Sequence, residues 1–200
     1  GHDVTTAMVD GVATPTNFPG GPYYPFVGKK WTTTPGQETN VGDIYLPLVP
    51  VGALQETSQT DATVITFPPS VLNAYPDLEG VQITVPPDTV YSNNNQRGGM
   101  VGIAPVSPDR LPTPLPPGLN LPLVITVQTS GPNNFDKPVP ACFPNLPDPV
   151  THELLPPGAK SALWSFDHDA GRFLVVGPMT VSDDGKFVCT DPGVGIIKPG

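Results

Sequence analysis

The sequence predicts an all-β protein made of antiparallel β-sandwich modules, with proline-rich loops and almost no helix. Three observations carry this expectation. Thirty of the 200 residues are proline, and an interior proline removes a helical hydrogen bond and clashes with the preceding turn. No window of about a dozen residues shows clean helical periodicity. Hydrophobic residues, 38% of the chain, fall in short alternating runs between the prolines, the pattern of half-buried strands bounded by turns. Glycine and proline together approach a low-complexity composition. Charged residues are only 14%, however, whereas disordered chains rely on charge to stay expanded.

Along the chain, residues 2–9 read as a first strand, and Tyr23-Tyr24-Pro-Phe26 as an aromatic, proline-bounded loop. Residues 30–34 and 43–49 read as strands on either side of the turn Pro35-Gly36-Gln37. Three or four strands cannot close a sandwich alone, so this part must pack on the rest or pair with another chain. Composition shifts to Gly, Gln, Ser and Thr near residues 50–60, which divides the chain into a partial sandwich over residues 1–55 and a sandwich module over residues 56–200. Residues 62–67 resume as a strand, 70–75 as one helical turn behind Pro68-Pro69, and 80–86 alternate with period two. Asn93-Asn94-Asn95 makes a turn, and residues 100–106, 121–128 and 139–143 are further strands around the proline-rich stretch 108–117. At the C-terminal end, residues 162–166 and 172–176 flank a glycine-closed turn. Residues 179–182 and 186–189 then flank Asp183-Asp184-Gly185, an Asp-Gly hairpin signal. The expected topology is of the Ig-like, Greek-key type.

Net charge is −9 and the only adjacent basic pair is Lys29-Lys30, which disfavours nucleic acid as a partner because phosphate binding needs clustered cations. No apolar run approaches the roughly 18 residues that span a bilayer. Gly1 reads as the start of a fragment or processed chain. The chain has no Asn-x-Ser/Thr sequon, in keeping with a bacterial source. Cys142 and Cys189 lie in strand-like runs 47 residues apart, too far for a Cys-x-x-Cys motif. They are either a disulfide or two free thiols, and the acidic, lysine-poor composition leans toward an oxidising compartment.

Several runs resemble known modules. Gly80-Val-Gln-Ile-Thr-Val-Pro-Pro87, Leu155-Pro-Pro-Gly158, Ala162-Leu-Trp164 and the Asp-Gly hairpin resemble the β-sandwich domain shared by zonula occludens and netrin-receptor proteins. Pro108-Asp-Arg-Leu-Pro112, Phe143-Pro-Asn-Leu-Pro-Asp-Pro149 and Thr190-Asp-Pro-Gly-Val-Gly195 are more similar to modules of very large bacterial surface proteins. There a like block follows a carboxypeptidase-regulatory-like sandwich, whose tail residues 1–49 resemble. The resemblance implies a non-catalytic spacer or interaction surface and supplies no catalytic residues. Some eukaryotic relatives cleave themselves within a His-Phe-Ser triplet, which this sequence lacks.

Candidate sites are sparse. Asp167-His168-Asp169 has oxygen and nitrogen ligands for a cation, but its place at a hairpin tip fits turn chemistry better. Asp183-Asp184 reads the same way, and neither fits the calcium-loop pattern. His2, His152 and His168 show no zinc spacing. Gly-x-Ser-x-Gly is missing, and the four glutamates stand in no distinctive context. No enzymatic activity and no cofactor are expected. Tyr23, Tyr24 and Trp31 are the candidate binding residues, able to stack on sugar rings if exposed and ordinary core filling if buried. The function expected is a structural module of a bacterial cell-surface protein or extracellular fibre, whose unpaired N-terminal edge a neighbouring copy fills by strand addition. The alternative is a glycan-binding or adhesive accessory module.

Overall fold

The computed structural model describes residues 6–9, 12–15, 31–45, 48–130, 133–167 and 169–199; their regular structure is nearly all strand, and every strand pairing is antiparallel. In chain order, β1 (Thr6–Val9) and β2 (Val12–Pro15) form a hairpin that is a sheet by itself. Then come β3 (Gln55–Glu56), β4 (Thr63–Thr66), a six-residue helix α1 (Pro69–Ala74), β5 (Gln82–Val85), β6 (Val90–Ser92) and β7 (Met100–Pro105). The chain continues through β8 (Ile125–Thr129), β9 (Asn133–Phe135), β10 (Ala141–Pro144), β11 (Lys160–Asp167), β12 (Arg172–Val181) and β13 (Phe187–Thr190). Six strands make the larger sheet in the order β11-β12-β13-β10-β5-β4; β3-β7-β8 make the smaller one, and β6-β9 a short ribbon. The meander β11-β12-β13 comes back to lie beside β10, a Greek-key arrangement.

Alternation explains which faces meet. Ile83 and Val85 of β5 are buried while Gln82 and Thr84 are half-buried. With Ile65 of β4 they face Val101 and Ile103 of β7 and Val127 of β8 across a single apolar core. Leu163, Met179, Ala141 and Val139 extend it along the larger sheet, and Val90 and Phe135 of the ribbon join it. This is the packing of a sandwich.

β7 departs from clean alternation, since Val101, Gly102, Ile103 and Ala104 are all buried. Its outer face is covered by Val49, Ala53 and Leu54, which cluster with Ala104. The cover lies directly on the sheet because Gly102 has no side chain: a Cβ there would stand 2.5 Å from the Ala53 carbonyl oxygen. Beside it on the same covered face, Gln128 donates to the Thr126 hydroxyl at 2.6 Å, so this buried polar pair satisfies itself. Residues 49–57 are therefore part of the packed unit, with β3 hydrogen-bonded to β7 and Thr57 to Gly99.

Several expectations need correction. Trp31 to Thr34 and Asp43 to Tyr45 run irregularly instead of forming strands. Alternation there meets no partner strand among the described residues, and the Thr34 carbonyl accepts the Gln37 N–H of the following turn instead. Residues 172–182 are not two strands broken at Gly177-Pro178 but nearly all one, β12. Proline is tolerated there because Pro178 turns its backbone toward β13 at the very end of that ladder, where its carbonyl accepts the Asp191 N–H at 3.0 Å, and it therefore owes no N–H to β11. Of the first expected strand, residues 6–9 are a strand and His2 lies outside the described residues.

Gly102→Ala should lower unfolding free energy by about 1–3 kcal/mol, the usual cost of overpacking, measured by urea denaturation. An unchanged midpoint would mean that residues 53–54 do not sit on β7.

Candidate functional site

The two sheets approach each other at β4 and β7 and leave a space toward β8 and β11. An apolar groove of about 420 Å³ lies there. Phe143, Leu163, Phe173, Met179 and Val188 of the larger sheet line it, facing Ile125 of β8. Tyr45 and Arg110 also line it, the guanidinium lying over the phenol ring at 5.6 Å from its centroid, and Lys160 and Lys198 add exposed charges to its lining. β8 ends its sheet on this side.

Cys142 and Cys189 are joined by a disulfide. They sit directly opposite each other on β10 and β13, their Cα atoms 4.1 Å apart, as in the closely spaced pairs of an antiparallel ladder. No free cysteine is present among the described residues.

The acidic turns hold themselves. Asp167 accepts the Ala170 N–H at 2.7 Å, and both Asp167 and Asp169 lie 3.4 Å from the Lys198 ammonium. His168 lies outside the described residues. Asp184 accepts from the Ser182 hydroxyl at 2.6 Å and the Lys186 N–H at 3.1 Å, and Gly185 takes the positive φ that the turn requires. His152 stands exposed on a loop and His2 lies outside the described residues. Among the described residues no three His, Cys, Asp or Glu side chains come together as metal ligands.

Tyr23 and Tyr24 lie outside the described residues; Trp31 is half-buried on an irregular segment and has a partner of its own. Trp31 is not among the residues that line the groove, and the apolar part of that lining comes from residues that the sequence showed only as core positions of separate strands. Which strands would stand next to one another was the missing information. No protein-family model, curated protein or solved structure matches the chain.

A second polar cluster ties the edge of the larger sheet together. The Lys160 ammonium lies 2.9 Å from Asp191 and 2.6 Å from the Thr180 hydroxyl, which itself donates to Asp191. The hydroxyl first and the ammonium second hold the Asp191 carboxyl below its ordinary range. Asp148 is lowered by the backbone N–H groups of Thr151 and Val150, and Asp184 by its bonds from Ser182 and Lys186.

Depressed carboxylates contribute stability that is fully present above the unfolded-state value of about 3.9 and lost as pH falls through the folded-state values. The melting temperature should therefore be flat with pH above about 5 and fall below about 4. Asp191→Asn should make that acid-side fall shallower; an identical slope in the variant would remove Asp191 from the account.

Proposed function

We propose that the chain is a non-catalytic structural module of a bacterial cell-surface protein or extracellular fibre. The observation that carries this reading is the Cys142–Cys189 bridge between neighbouring strands of the larger sheet, because disulfides persist in oxidising, extracytoplasmic compartments. In the chain-entropy description, closing a loop of this length stabilises the fold by about 4 kcal/mol, a gain that suits a module exposed to stress and proteases. Proline-rich connections act in the same direction, since they restrict the unfolded chain. The likeness of residues 143–149 and 190–195 to bacterial surface modules supports the same placement.

The test is thiol trapping. Cells that make the protein are quenched with an alkylating reagent before lysis, and Cys142 and Cys189 are scored by mass spectrometry. Both should be found unmodified and bridged, and protease added to intact cells should reach the protein. Alkylated cysteines in a protected protein would overturn the reading. The double variant Cys142→Ala/Cys189→Ala should lose about 2–5 kcal/mol of stability.

A further inference from the structure

We propose that the groove between the sheets receives the N-terminal hairpin of a second copy of the chain, with β1 adding as a strand alongside Ile125 and Val127 of β8. The inference rests on the structural-module reading and names the partner of its groove.

The edge comes first. The β7–β8 ladder is bracketed by two hydrogen bonds, Val106 N–H to the Val124 carbonyl and Ser130 N–H to the Met100 carbonyl, each 2.9 Å. Antiparallel alternation between those points turns the N–H and C=O of Ile125 and Val127 away from β7. Among the described residues nothing pairs with them there. A strand edge whose outward groups meet no partner among the described residues, beside an apolar groove, is a template for strand addition.

The edge on the other side of the groove is guarded. β11 carries a bulge at Leu163/Trp164 and begins with Lys160, both of which discourage edge-to-edge pairing. β8 runs five residues without a proline, and its register to β7 is unbroken.

The occupant follows from what the hairpin lacks. β1 and β2 are four residues each and form a sheet of two, and such a ribbon is marginal until a third strand or another surface supports it. β2 ends in Pro15, which has no N–H to give, while β1 contains no proline. β1 is therefore the strand suited to pair, and its four residues are one fewer than the five of β8. The hairpin and the groove belong to one chain, yet among the described residues the hairpin pairs with no third strand and β8 ends its own sheet. A donor and an acceptor on every copy make a head-to-tail contact, which propagates as an open fibre. Sequence reasoning had placed the open edge in the N-terminal part; here that part is the donor.

The test uses two full-length variants. Ile125→Pro removes an outward N–H from β8 and leaves the ladder to β7 intact. In the hairpin, Val9 opposite Val12 closes a two-residue connection, so Met8 is the residue whose N–H faces away from β2, and Met8→Pro removes that donor. Light scattering should show the parent chain growing with concentration beyond its 21.0 kDa. Salt should enhance the growth by screening the net charge of −9. Each variant alone should remain a monomer. An equal mixture should stop at a dimer of twice the chain mass, because only one junction can form. Leu123→Lys, which places a charge in the groove without touching the ladder, should reproduce Ile125→Pro if the proline lowers the melting temperature. Assembly that persists in either variant, or a mixture with no dimer, overturns the inference and leaves the structural-module reading standing. A parent that is monomeric throughout also overturns it, including the case in which Met8→Pro destabilises that monomer because the hairpin fills its own groove. The thiol-trapping result is independent of all of these.

Discussion

The junction of β10 with its two neighbours holds the larger sheet together. On one side β10 pairs with β5 through Ala141 opposite Ile83 and Cys142 opposite Gln82; on the other it pairs with β13 through three residues. Every other pairing in that sheet joins strands that follow one another in the chain. The two at β10 bring distant segments together, and their loop-closure entropy must be offset by contacts that form late. The Cys142–Cys189 bridge lies within the β10–β13 pairing, so the covalent link reinforces a non-local contact that backbone hydrogen bonds would otherwise hold through four-residue strands. A second staple stands beside it, where Val139 and Ile196 exchange backbone hydrogen bonds at 2.9 and 2.8 Å. Gly195 permits that approach, since a Cβ there would lie 2.5 Å from the Val139 backbone.

The smaller sheet is built by a different device. Gly102 and Ala104 keep one face of β7 nearly flat, and residues 49–54 lie on it. Both faces of β7 are thereby buried, and the sheet is anchored on the β4 side of the sandwich. On the β8 side no strand of the described residues continues it. A sandwich whose facing layer stops short leaves apolar side chains of the larger sheet lining a groove, and Leu163, Phe173 and Met179 are those side chains. The groove is a consequence of unequal sheet widths, and no single residue motif encodes it.

Legibility in the sequence followed local chemistry. The period-two run at residues 80–86, the helical turn behind Pro68-Pro69 and the Asp-Gly hairpin at residues 183–185 each appear where composition placed them. Their signals reside in neighbouring residues. β3, β6 and β9 gave no such signal, being two or three residues long and rich in Gln, Glu, Ser and Asn. They are strands because β7 and one another offer partners. The converse error arose at residues 31–34 and 43–45, where alternation is present but the described residues include no partner strand.

By itself the sequence determined that the protein is all-β, because thirty prolines exclude long helices and short alternating runs have no other way to bury one face. It also determined the hairpin turns, through glycines at positive φ, and limited the cysteines to one possible intrachain pair. Tertiary structure decided that Cys142 and Cys189 stand opposite each other, that Gly177-Pro178 passes through a strand, and that an apolar groove opens beside β8, the last strand of its sheet among the described residues. The physical reason is the same in each case. Strand pairing is a contact between residues far apart in the chain, whose energy depends on which edges are left over once the core has closed.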